Sequence, residues 1–95
     1  MRCAGRFLGM AVVGCPPEIM GIGPAVAIPA ALAKAGLTIA DIDIFEINEA
    51  FASQATYCVD KLGIDASKVN PLGGASVLTA CAILFRFCMV VAWAD

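Results

Sequence analysis

The chain contains no histidine, and that one gap removes several kinds of chemistry. Ser–His and Cys–His nucleophile pairs are excluded, as is zinc held by imidazole, and the commonest general base near neutral pH is missing. Charge is scarce: Asp, Glu, Lys and Arg make up 15% of the residues, and a formal net charge of −2 leaves no electrostatic footprint for nucleic acid. No Cys-x-x-C pair occurs. The five cysteines (Cys3, Cys15, Cys58, Cys81, Cys88) are odd in number, which fits free thiols in a reducing compartment better than a disulfide framework. No metal site and no bound cofactor are expected. The N-terminal stretch lacks the apolar core of a signal peptide, although its acid-free start with Arg2 and Arg6 is weakly compatible with a transit peptide. The closing Trp93-Ala94-Asp95 is no receptor-read address.

What the chain has in excess is apolar surface. Hydrophobic residues make up 61% of it, well above the usual figure for a soluble domain. Its 95 residues make one domain at most, with a small core. Such a composition belongs to a buried piece of something larger, or to a membrane-associated chain.

Punctuation by Pro and Gly divides the chain. Phe7 to Gly14 reads as a short buried strand, stopped by Pro16-Pro17, and PPEIMGIG reads as a loop. Pro24 and Gly36 frame a helix, Pro24 to Ala35, with Pro29 as a blemish that removes one hydrogen bond. Because that helix is apolar nearly all round, burial on more than one side is expected. Ile42 to Ile47 is the clearest strand, with Ile42 and Ile44 on one face and Phe45 and Ile47 on the other, as in a strand covered from both sides. A second helix follows from about Glu49 to Leu62, with Phe51, Ala55, Cys58, Val59 and Leu62 on one face and Gly63 as its stop. KVNPLGG begins as another short strand and ends in a turn. The order is that of a βαβ architecture, so the fold class read from the pattern is α/β.

The junction DIDIFEINEAFASQ places Glu46, Asn48 and Glu49 where a strand becomes a helix. The plain structural account is that Asn48 caps the helix and Glu49 complements its dipole. The functional account also has physics behind it. Ligands gather at the carboxyl ends of strands and at helix N-termini, and a carboxamide there can donate to a developing oxyanion or hold a water that does.

MGIGPAVAIPAALAKAGL, DIDIFEINEAFASQ and VNPLGGA, in this order and spacing, resemble the C-terminal domain of thiolases, in particular 3-ketoacyl-CoA thiolases of peroxisomal type. The resemblance covers about Ala11 to Ala75. It implies a partial layered α/β domain, and an activity that cleaves 3-ketoacyl-CoA, or condenses two acetyl-CoA, through an acyl-cysteine. On that resemblance Asn48 is the active-site asparagine that positions an oxyanion-hole water. Met20, Ala50 and Phe51 line the acyl or pantetheine pocket. The substrate would be an acyl-CoA thioester and the parent a homodimer or homotetramer. The compartment would be the peroxisome, with mitochondrion and cytoplasm left open.

The departures from the family are as informative. Its nucleophilic cysteine lies in an N-terminal half that has no counterpart here. Ser76 onward matches neither the family's Gly-His-Pro segment nor its Cys-x-Gly segment. Cys81 and Cys88 lack the family's flanking glycines and read as small buried hydrophobes, as do Cys15 and Cys58. The expected division is therefore a partial thiolase domain over residues 1–75 and an apolar, helical tail over 76–95, roughly Val77 to Val91, foreign to the family. The alternative is a small membrane-associated or interaction protein that reuses the domain piece. Ala75 to Ala94 is long enough to span a bilayer. Its large apolar residues contribute roughly −2.4 to −4.8 kcal/mol while Arg86 costs about +2.5 to +3.5, so insertion of the tail is marginal.

Overall fold

A computed structural model describes residues 6–74. Its regular elements are two α-helices, α1 (Gly23–Ala35) and α2 (Ala52–Leu62), with 3-10 segments at Pro17–Ile22, Ile39–Asp41 and Ala66–Lys68. Helix α1 forms where Pro24 pre-sets the first turn and alanines cost little side-chain entropy. It ends at Gly36, whose left-handed φ of 70° lets Leu37 N–H reach back to Leu32 O at 3.0 Å. Pro29 is accommodated inside it. Helix α2 ends in the same way at Gly63, with Ile64 N–H on Val59 O at 3.1 Å.

Both helix ends match the pattern-based expectation, but the start of α2 does not. Asn48 is not its cap: the helix begins at Ala52, preceded by Phe51 in an extended conformation (φ −139°, ψ 136°). Phenylalanine has no side-chain acceptor. The end is served instead by Gln54, whose Oε1 accepts from Phe51 N–H at 3.4 Å, the Gln half of a capping box. Phe51 consequently stands outside the helix and 64% exposed, rather than on its buried face.

The two expected strands fare differently from the helices. From Phe7 to Gly14 the backbone is irregular. Among the described residues no neighbouring segment hydrogen-bonds alongside it as a strand would, and a lone strand has nothing to pair with. At Ile42 to Ile47 the chain bends at Asp43, and the expected strand reduces to one parallel bridge between Phe45 and Val69. Phe45 N–H donates to Lys68 O and Asn70 N–H donates to Phe45 O, each at 2.8 Å. Lys68 Nζ adds a bond to Ile42 O at 2.8 Å, tying down the bend. Because of that bend the buried side chains are Ile42, Phe45 and Ile47, which do not alternate. The α/β expectation therefore holds for the helices and their connectivity, while no extended strand forms among the described residues. The expected helix from Val77 to Val91 lies outside them.

One apolar cluster holds these pieces together. Ile28 and Leu32 of α1 meet Ile42, Phe45, Ile47 and Ile64, with Leu37, Ile39, Val59, Leu62 and Val69 packed around them. Fully burying each such side chain contributes about 1.5–3 kcal/mol. Helix α1 buries only the stripe Pro24, Ile28 and Leu32. Those three positions form one stripe, so among the described residues the expected burial on more than one side is not seen.

Candidate functional site

Two polar side chains, Asn70 and Glu49, meet where the Phe45–Val69 bridge gives way to α2, and the less exposed of them is Asn70, at 8%. Its backbone is left-handed (φ 47°), the one non-glycine with positive φ among the described residues, a conformation that asparagine tolerates better than most residues. There the carboxamide turns back onto the preceding segment. Its Oδ1 accepts from Ile47 N–H at 2.8 Å, and its Nδ2 donates to Ile47 O at 2.9 Å. A side-chain amide thus does for Ile47 what another strand residue would do, and extends the bridge by one rung. Nδ2 also donates to Glu49 Oε1 at 2.7 Å, a charge-assisted bond.

Glycine at position 74 completes the arrangement. A Cβ there would collide with the Glu49 carboxylate as it stands, so a side chain at 74 would require that carboxylate to swing away from Asn70. The turn that delivers Gly74 is closed by Gly73 N–H on Asn70 O at 2.9 Å. The two signature stretches, DIDIFEINEA and VNPLGG, are thereby clasped to each other.

Asn48 sits inside this clasp, between Ile47 and Glu49, and is half-buried. Its backbone carbonyl accepts from Gln54 Nε2 at 3.3 Å, so the first turn of α2 also holds it. Met20 is 60% exposed on the 3-10 segment ahead of α1. Its neighbour Gly21 lies against Gln54, with room for a Cβ only at 3.0 Å from Gln54 Cγ. The fold therefore brings the segment bearing Met20 to the end of α2 that follows Ala50 and Phe51, both exposed. Below them Cys58 is fully buried, with its thiol on Gly21 O at 3.6 Å. Burial pushes that thiol's pKa up, opposed by a hydrogen bond to the Ala25 backbone, so it stays a neutral packing group. No group of three or more potential metal ligands occurs among the described residues.

Sequence reasoning picked out Asn48 and missed Asn70 and Gln54. The signal for Gln54 was available as a Gln at the third helical position, but it was hidden by placing the helix start too early. For Asn70 the signal was fainter: an asparagine before Pro71, with partners more than twenty residues upstream.

Comparison with known proteins agrees with this geometry. The family profile described as "Thiolase, C-terminal domain" matches residues 1–80. The chain is 82% identical over 74 residues to 3-ketoacyl-CoA thiolase B, peroxisomal, of Rattus norvegicus, covering 78% of this chain and 18% of that protein. Identity is 75% over the same length to the human peroxisomal 3-ketoacyl-CoA thiolase, again covering 78% of this chain and 18% of the relative. Among solved structures, the peroxisomal 3-ketoacyl-CoA thiolase of Saccharomyces cerevisiae, described as a five-layered α-β-α-β-α structure, superposes with a TM-score of 0.73 at 66% identity, over 75% of this chain and 21% of that one. The human mitochondrial 3-ketoacyl-CoA thiolase in complex with CoA superposes with a TM-score of 0.69 at 54% identity, over 70% of this chain and 17% of that one. The chain thus spans under a quarter of the length of these relatives. With a family match over most of its residues, it belongs to the thiolase family, within the C-terminal domain.

Proposed function

We propose that the chain is a segment of a peroxisomal 3-ketoacyl-CoA thiolase, an acyltransferase of fatty-acid β-oxidation that cleaves 3-ketoacyl-CoA to acetyl-CoA and a shortened acyl-CoA. The observation that carries this reading is the 82% identity over 74 residues to a rat enzyme of that name. In this reading Asn48 belongs to the oxyanion-binding floor of the site, holding a water toward the thioester oxygen, while Met20, Ala50 and Phe51 form part of the acyl or pantetheine wall. The parent assembles as a homodimer, as one yeast relative is described, or as a homotetramer. The division after residue 75 is part of this proposal: the family profile runs on to residue 80, so the stretch lying clear of it is 81–95, and detection of peptides spanning Gly74 to Arg86 in the native source would establish that this tail is translated.

The 95-residue chain alone is expected to be inactive. Thiolysis needs a cysteine thiolate to attack, a base to activate that thiol, and an acid/base to serve the leaving carbanion and the incoming thiol. An oxyanion donor stabilises charge only after a nucleophile has generated it, and groups that act as a unit are not replaced by the one that remains. The test is thiolytic cleavage of a 3-ketoacyl-CoA by the purified chain and by a chimera in which residues 11–74 replace their counterpart in the yeast peroxisomal enzyme. The chain should give no turnover and the chimera should be active. Asn48→Ala in the chimera should lower kcat by about 10²- to 10³-fold, as losing an oxyanion-site carboxamide does. Turnover by the chain alone that disappears on Asn48→Ala would overturn the account.

A further inference from the structure

Both chain neighbours of Asn48 are held by one side chain. Asn70 engages Ile47 through N–H and C=O together, and Glu49 through its carboxylate, at distances of 2.7–2.9 Å. These contacts use both N–H donors of the carboxamide, and a flipped amide would set donor against donor, so the group has one satisfied orientation. Glu49 is confined further, with Asn70 on one side and the bare backbone of Gly74 on the other. The structure assigns Asn70 the role of positioning residue for Asn48: by fixing the peptide before it and the carboxylate after it, Asn70 sets the direction in which the Asn48 carboxamide projects. This rests on the reading of Asn48 as the oxyanion-floor asparagine. The consequence is kinetic, because misplacing a reacting or stabilising group by about 1 Å can cost about 10²-fold in rate.

The experiment uses the full-length chimeric thiolase described above. Asn70→Asp keeps the acceptor for Ile47 N–H, removes both donors and sets a second carboxylate beside Glu49. It should lower kcat by about 10²-fold while KM changes by less than about threefold, since Asn70 orients a stabilising group and does not bind the thioester. Adding Glu49→Gln to Asn70→Asp restores a donor–acceptor pair of reversed polarity, and kcat should recover by about tenfold. A purely structural role would instead lower the folded fraction and leave kcat per folded molecule unchanged. Unaltered kcat in folded Asn70→Asp, or failure of the second substitution to restore any of the loss, overturns the inference. If Asn70→Asp does not fold, Glu49→Ala decides, because it leaves both Ile47 bonds in place: a fall in kcat of about tenfold is expected, and unchanged kcat overturns the proposal. Asn48→Ala in the same chimera separates the two ideas. If it leaves kcat intact, the reading of Asn48 fails and the inference with it; if it lowers kcat while the Asn70 and Glu49 variants do not, only the positioning role fails.

Discussion

From Ile42 to Ile47 the side chains of Ile42, Phe45 and Ile47 are almost wholly buried, whereas between Phe7 and Gly14 the side chains of Phe7 and Val12 are 79% and 80% exposed. Both stretches are apolar and neither is helical. What separates them is the answer given to their backbone polar groups. Phe45 has its N–H and C=O met by Lys68 and Asn70, and Ile47 has both met by the Asn70 side chain. In the earlier stretch the one such contact among the described residues is Lys34 Nζ on Met10 O, at 3.4 Å. Apolar content supplies the drive to bury, but a segment is placed only where something satisfies its amides.

The sharpest way to break this contrast is a pair of identical truncations. Phe45→Ala should cost about 3–5 kcal/mol, since it empties a fully buried site, whereas Phe7→Ala should stay within about 0.5 kcal/mol. Chemical denaturation followed by helix circular dichroism measures both, and equal costs would show that the two stretches do not differ as described.

A pair of added methyl groups gives a smaller effect. A Cβ at Gly74 would meet the Glu49 carboxylate, whereas one at Gly14 would meet nothing within 4 Å. Gly74→Ala should therefore cost about 0.5–1.5 kcal/mol, the worth of the Asn70 bond that Glu49 gives up in swinging aside, and Gly14→Ala close to nothing, by the same denaturation assay. A neutral Gly74→Ala would mean that the clasp has slack.

How far this was readable beforehand depends on where each partner lies. The frame of α1 by Pro24 and Gly36, and the stop of α2 at Gly63, come from local backbone chemistry, and the structure places them there. The start of α2 was misplaced because Asn48 and Glu49 satisfy a capping pattern over a short window, whereas the observed turn is set by Phe51 and Gln54. Strands need neighbours, so their apolar pattern could announce Ile42 to Ile47 without saying that one bridge is all that forms among the described residues. Within the candidate site, Asn48 stood out as a polar residue in an apolar run. The groups that hold it in place did not, because Asn70 acts through a carboxamide whose partners are distant in sequence.

The smallest expected effect lies at the edge of the buried stretch, in the 3-10 turn that leads into Ile42. Thr38 donates to Asp41 Oδ2 through its hydroxyl (2.7 Å) and its backbone N–H (2.8 Å). These two bonds, the hydroxyl first, hold the Asp41 pKa below its ordinary value. A carboxyl depressed on folding contributes stability that is present above the unfolded pKa, about 3.9, and is lost as pH falls through the lower folded value. Thr38→Val removes the hydroxyl bond, so acid titration of that variant should show a slightly flatter loss of stability below about pH 4. A slope indistinguishable from the parent would mean that the hydroxyl bond contributes nothing in solution.

The clasp at Ile47 and Asn70 also bears on chain entropy. These residues lie 23 apart, with the whole of α2 between them. The length-dependent part of closing such a loop is about 2.8 kcal/mol, and each doubling of its length adds only about 0.6. Hydrogen bonds net about 0.5–1.5 kcal/mol apiece, so the two bridge bonds alone roughly balance the closure. It is the three made by the Asn70 carboxamide that give a surplus. The enclosed helix could therefore lengthen or shorten by a turn with little entropic consequence, while one amide group decides whether its two ends are held together.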